Sequence, residues 1–276
     1  MRRSVLLSAV VPLALVLSTH SSSVEAQPAH SSTALRARST TVAHPMTPTV
    51  QEDFSSWSSG RFSTDDLWQK NGDWTTGWSK NRILMTNARV HDGRLDLVSP
   101  GKVQQSGEIQ SAPKAPVTFS YGYYQTRMKV ASTSGVCSSF FFIANDYGLP
   151  EIDVEFLTDE SWLTSSSTGR VHLSVHKDNG TVRDYRVVDL AFNPSRAMHT
   201  YGFVIAPNAV TFDIDGRVVW RDALPTGWAG GVPHGFIMAN IWTGNPYWGG
   251  GPPSHEAVSS YDWMRYYAGA TERVLG

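Results

Sequence analysis

The sequence predicts an all-β fold, a sandwich or jelly roll, on three observations. Short runs alternate apolar and polar residues, turn signals interrupt them at regular intervals, and no stretch holds a long helical period. The turn signals are Asp92-Gly93, Pro100-Gly101, Gly107, Gly135, Gly148, Gly169, Asn179-Gly180, Asn193-Pro194, Asp215-Gly216 and Pro225-Thr226-Gly227. The clearest hairpin is Ala209 to Trp220, whose Asp215-Gly216 suits a type I′ turn. There is no internal repeat.

Taken in order, the chain opens with Met1-Arg2-Arg3 and a largely apolar run from Val5 to Leu17, followed by Val24-Glu25-Ala26. Charge, then grease, then small residues is the order of a secretory signal, so residues 1–26 are expected to be a signal peptide cleaved after Ala26. The expected location is outside the cell or in the periplasm, with no membrane attachment after cleavage. Residues 27–50 are rich in Ser, Thr, Ala, Pro and His and poor in large apolar side chains, a composition that cannot bury a core and reads as a linker. Residues 51–276 are left as one catalytic sandwich domain, a length and apolar content that fit the all-β size range.

The formal net charge is −1, and the first 26 residues carry Arg2, Arg3 and Glu25, so the remainder carries −2. A nucleic-acid binder would be basic, and that class is set aside. The single cysteine, Cys137, excludes an internal disulfide and reads as a small buried residue. Ten Trp, ten Tyr and eleven Phe are enough both for a core and for flat platforms against sugar rings.

The stretch that carries chemistry is Glu151-Ile152-Asp153-Val154-Glu155-Phe156. A period of two puts the three acids on one strand face and Ile152, Val154 and Phe156 in the core. Three neighbouring carboxylates repel one another, a local conflict that points to use. Glycoside hydrolysis needs two carboxyl groups about 5 to 5.5 Å apart for retention and about 6.5 to 9.5 Å for inversion. Glu151 and Glu155 have Cα atoms roughly 13 Å apart at about 3.3 Å per residue, and side chains leaning together reach either range. Asp153 between them couples all three titrations and raises its neighbours' pKa values. Other runs divide in the same way: Tyr123, Gln125 and Arg127; His172, Ser174 and His176; Met238, Asn240 and Trp242. The run Ser138 to Ile143 would be buried or would offer Phe141 to a ligand.

These residues, with Tyr121 to Lys129, Ser138-Ser139-Phe140-Phe141, Met198 to Phe203, Met238-Ala239-Asn240-Ile241-Trp242 and Tyr261-Asp262-Trp263 in that order, resemble glycoside hydrolase family 16 over about Gln51 to Tyr267. The nearest likeness is to its lichenase-type endo-β-1,3-1,4-glucanases. The resemblance implies a jelly roll of two curved antiparallel sheets, concanavalin-like, with a polysaccharide across the concave one. It further implies a retaining double displacement, with Glu151 as nucleophile, Glu155 as acid/base and Asp153 beside the nucleophile; the protein is expected to be an endo-acting monomer.

Gln125, Arg127, Phe141, His172, His176, Asn240, Trp242 and Trp248 are the expected substrate contacts. The chemistry requires no cofactor; a structural calcium on Asp262 and the Gly93 carbonyl is implied by the resemblance alone. Gln125, the His172-Ser174-His176 face and the segment Trp242 to Pro253 depart from the lichenase pattern, and all three border the expected subsites. Three further readings stay open: a transglycosylase on the same residues, a noncatalytic carbohydrate-binding jelly roll, and a Ca²⁺ or Mg²⁺ site. Alternate strand positions argue against the last by spreading ligands too widely for one ion. Two acids argue against the binding module. The polymer is expected to be mixed-linkage glucan, with β-1,3-glucan or a bacterial exopolysaccharide next.

Overall fold

Alternation decides the architecture: each long strand has one apolar face, and the apolar faces of two sheets close on each other. The computed structural model describes residues 46–55, 68–72, 74–76, 80–111, 117–144, 148–177, 183–224, 226–228 and 230–275. These fall within one unit, Pro45–Gly276. The expected signal peptide and nearly all of the expected linker lie outside the described residues, as does the Asn179-Gly180 turn.

In chain order the strands are β1 Val50–Glu52, β2 Trp68–Asn71, β3 Trp74–Thr75, β4 Arg82–Ile83, β5 Ala88–His91, β6 Arg94–Ser99, β7 Gln105–Ser111, β8 Gly122–Lys129, β9 Cys137–Ala144, β10 Gly148–Leu157, β11 Gly169–His176, β12 Arg183–Leu190, β13 His199–Ala206, β14 Ala209–Ile214, β15 Arg217–Ala223, β16 Gly235–Trp242 and β17 Ala257–Ala268. The helical pieces among the described residues are short 3-10 turns at Met85–Asn87, Ser161–Thr164 and Glu272–Leu275. Among these residues no helix is long and apolar enough to cross a membrane. Pairing begins earlier than the expected domain start, because the Thr49 N–H donates to the Tyr266 carbonyl and Val50 is buried opposite Tyr266.

One sheet runs β15-β14-β13-β8-β17-β6-β5, with β1 added on β17; the other runs β12-β11-β10-β9-β16-β7-β4-β3, with β2 added on β7. Nearly all pairs are antiparallel, β4 with β7 being parallel. Tight hairpins need positive φ at both central residues, and Asp92-Gly93 and Asp215-Gly216 supply it between β5 and β6 and between β14 and β15.

The core lies between the sheets. Tyr124 meets Phe142 at 5.6 Å between ring centroids, Phe140 meets Phe203 at 5.5 Å, and Phe156 meets Tyr201 edge-on at 4.9 Å. Small polar ties cross the same space: Ser259 Oγ donates to Ser138 Oγ at 2.6 Å, and the Tyr261 hydroxyl to the Ser139 carbonyl at 2.8 Å. Because Ser138 points inward with Phe140 and Phe142, Ser139 and Phe141 point out with the acids.

Candidate active site

The site is the outer face of the second sheet. Registers set its rows. Glu155 stands beside Ser139 on β9 and His172 on β11; Asp153 beside Phe141 and Ser174; Glu151 beside Ile143 and His176. Strand β16 extends the rows with Asn240 next to Ser139 and Met238 next to Phe141, and β7 adds Glu108 next to Asn240 and Gln110 next to Met238. Three acids thus occupy a face whose neighbouring strands offer hydroxyls, amides, imidazoles and a Phe ring.

Each acid has a different setting. Glu155 Oε1 accepts the Trp248 indole N–H at 3.1 Å and faces the Cys137 thiol at 3.5 Å. Asp153 Oδ2 stands 3.3 Å from His176 Nε2. Burial, first of all, and then the charges of Asp153 and Glu155 hold the Glu151 carboxyl well above its ordinary range, while His176 pulls it down. Burial likewise pushes the Cys137 thiol far up, with Glu155 adding to it, so this buried cysteine is unreactive.

Trp248 reaches Glu155 because the segment Trp242 to Pro253 folds back on itself. The Gly244 N–H donates to the Gly250 carbonyl at 2.9 Å, the Gly250 N–H to the Asn245 carbonyl at 3.0 Å, and Thr243 Oγ1 to the Gly135 carbonyl at 2.6 Å. Gly249, Gly250 and Gly251 all take positive φ. A Cβ on Gly251 would fall 1.7 Å from Thr243 Oγ1 and one on Gly249 2.8 Å from the Cys137 nitrogen, so glycine is obligatory at both. Trp248 packs with Cys137, Leu157 and Trp242, and its ring meets the edge of His172 at 5.2 Å.

Nine of the expected residues share this face or its rim: Glu151, Asp153, Glu155, Phe141, His172, His176, Asn240, Trp242 and Trp248. His172 needs correction as a sugar contact. It is buried, its Nδ1 faces the Tyr185 hydroxyl and its Nε2 lies 2.8 Å from Glu160 Oε1, so it serves as a prop for Trp248.

Gln125 and Arg127 are corrected outright. Strand β8 belongs to the first sheet and its Tyr124 and Met128 enter the core. Gln125 and Arg127 therefore face away on the far side of the sandwich, where Gln125 Nε2 donates to the Tyr123 hydroxyl at 2.7 Å and Arg127 pairs with Asp262. That ion pair also bears on calcium. The Asp262 carboxylate already meets a guanidinium, and with the Gly93 carbonyl alone it falls short of the six to eight oxygens the ion takes.

The sequence reading missed Glu108 and Gln110. Both are buried on the site face, and Asn240 joins the first to β9: Ser139 Oγ donates to Asn240 Oδ1 at 2.6 Å, and Asn240 Nδ2 to Glu108 Oε2 at 3.1 Å. Their signal was the alternation around Ile109. A further correction concerns spread: ligand atoms of Glu151, Asp153 and His176 lie within 4.8 Å of one another, the one such group of three among the described residues. Strand spacing therefore does not by itself keep these donors from one ion. Three donors still leave a closed site incomplete, and the Asp153 and His176 pair is already close enough to satisfy itself.

The family model "Glycosyl hydrolases family 16" matches residues 64–265. A beta-glucanase of Bacillus amyloliquefaciens is 32% identical over 228 residues, which span 78% of this chain and 85% of that protein. Among solved structures, a prokaryotic beta-1,3-1,4-glucanase (lichenase) derived from a mouse hindgut metagenome superimposes with a TM-score of 0.62 at 29% identity, covering 79% of this chain and 98% of that one. The Bacillus licheniformis beta-glucanase gives 0.62 at 27% identity, covering 81% and 99%.

Proposed function

Because the chain belongs to glycosyl hydrolases family 16, and so is a glycoside hydrolase acting on O-glycosyl bonds, we propose that it is an endo-acting β-glucanase that cleaves β-1,3/1,4-glucan with retention through a glycosyl-enzyme intermediate. The observation that carries this is the row Glu151, Asp153, Glu155 on one sheet face, with Asp153 beside His176 and Glu155 Oε1 on the Trp248 indole. Similarity to beta-glucanases and lichenases supports the substrate class. The charged and apolar N-terminal segment supports export, outside the cell or to the periplasm, and the polysaccharide is the partner.

In this reading Glu151 attacks the anomeric carbon while Glu155 gives its proton to the leaving oxygen. A nucleophile must be ionised, and Glu151 is pushed toward its neutral form by burial, Asp153 and Glu155. Placing the one catalytic proton on Glu155 removes one of those two charges, and His176 opposes the other through Asp153. The acid triplet thus divides labour through where the proton sits.

The upward push on Glu151 favours one competing assignment, with Glu155 attacking and Glu151 donating. Trapping with a 2-deoxy-2-fluoro-glucoside and mapping the labelled peptide decides between them: a label on Glu151 is expected, and one on Glu155 reverses the roles. Reducing-end release from a panel of purified β-glucans tests the substrate, with mixed-linkage glucan expected to be fastest. Release from none of them would overturn the glucanase reading, and chain lengthening with added oligosaccharide acceptors would turn it into a transglycosylase.

A further inference from the structure

We propose that Trp248, backed by Cys137, is a positioning residue that selects Glu155 Oε2 as the oxygen carrying the catalytic proton; this rests on the reading of Glu155 as the acid/base. A carboxyl oxygen has two lone-pair directions. At Glu155 Oε1 the indole N–H donates at 3.1 Å and the weaker thiol donor lies 3.5 Å away. Indole nitrogen is a donor only, so it cannot rearrange to receive a proton from that oxygen. The proton of the neutral acid therefore resides on Oε2.

In the first step the proton leaves Oε2 for the glycosidic oxygen as the C1–O bond breaks and its electron pair goes to that oxygen, while a Glu151 oxygen bonds to C1. In the second, water displaces Glu151 from C1 and returns a proton to Glu155. Both steps need the same Glu155 oxygen to face the sugar, and the folded segment Trp242 to Pro253 holds the other one to the indole.

The indole N–H also stabilises the ionised form of Glu155 over the neutral one, so its loss favours the protonated acid. The charged or titratable groups around Glu155 are Glu151 and Asp153 on its own strand, Cys137 on β9, and His172 on β11 with Glu160 and Tyr185 behind it. Across Ser139 and Asn240 lies Glu108 on β7. His172 and Tyr185 pack on the Trp248 ring, at 5.2 and 6.0 Å between centroids, so Cys137→Val, which keeps the indole in place, separates a lost donor from a repacked imidazole.

The test is kcat/KM against pH for Trp248→Phe in the full chain, on β-glucan and on a 2,4-dinitrophenyl oligoglucoside, whose leaving group departs without a proton. The alkaline limb on β-glucan should move up by about 0.5 to 1 pH unit, and the rate on β-glucan should fall about 10-fold or more relative to that on the aryl substrate, a part of the 10²–10⁴ that general acid catalysis supplies. Equal losses on both substrates with an unmoved limb overturn the proposal, because packing alone would do that. Cys137→Val removes only the weaker donor; a smaller upward move supports the two-donor arrangement and no move or a downward one overturns it, so this variant carries the test if Trp248→Phe does not fold. Glu155→Ala with azide separates the proposal from its premise: a β-glycosyl azide upholds Glu155 as acid/base, and an α-azide removes that reading whatever Trp248 does.

Discussion

At Glu151 catalysis and stability pull in opposite directions. Its folded pKa lies well above the ordinary 4.5, so the folded protein binds this proton more tightly than the unfolded chain. Stability from this group is therefore full below about pH 4.5 and lost as pH rises toward the folded value. Glu151→Gln should abolish hydrolysis and raise the melting temperature at pH 7, with the gain shrinking as pH falls toward 4.5; calorimetry across that range checks it. A gain independent of pH would mean that the amide simply packs better. At this scale the sequence was informative, since alternation alone exposed Glu151, Asp153 and Glu155. Alternation also put Asn240 and Trp242 on one strand face, while for Phe141 it left burial and exposure to a ligand both open. It could not show that both His172 nitrogens would be taken by Tyr185 and Glu160, because those partners come from residues 12 and 13 positions away.

The element that governs the site most directly is the segment Trp242 to Pro253. Gly251 sits at φ +110 against Thr243 and the Gly135 carbonyl. Gly251→Ala should therefore displace the segment, at a stability cost of about 1 kcal/mol or more from backbone strain. It should reproduce the Trp248→Phe loss on β-glucan while hydrolysis of the dinitrophenyl substrate is largely kept; paired kinetics on the two substrates check it, and equal activity to wild type would show that the turn tolerates a side chain. Strand β8 marks the limit of legibility at this scale. Its period of two announces one polar face and one apolar face, and both are real. A period of two does not say which of two sheets a strand joins, and in a sandwich every outer face is polar. Gln125 and Arg127 were read onto the wrong side for that reason, while Glu108 and Gln110 on β7 show the same alternation and lie on the right one.

Across the whole molecule the two sheets are joined directly beneath the reacting groups. Tyr261 of one sheet donates to the Ser139 carbonyl of the other, and Ser139 in turn holds Asn240. Tyr261→Phe should cost about 0.5 to 1.5 kcal/mol in denaturant unfolding, the worth of one net hydrogen bond. If the unpaired Ser139 carbonyl is left dry, the cost rises toward about 3 kcal/mol. Phe142→Ala, deep between the sheets, should cost about 3 to 5 kcal/mol through the cavity it leaves. Both are read from urea midpoints at constant slope. The all-β sandwich was legible from turn spacing and alternation, and the core list from the apolar halves of each run. The pairing order of the strands was not, because non-local pairing leaves no trace in a local period.

The buried Cys137 has a use in the laboratory as well. It is the only sulfhydryl in the chain, it is inaccessible, and its pKa is pushed far up. Tyr247, beside Trp248 at the tip of the folded segment, is 90% exposed. The thiol of Tyr247→Cys would be the sole group open to maleimide chemistry without any background removal, so a single dye there would report a glucan arriving beside the segment while the indole on Glu155 stays in place.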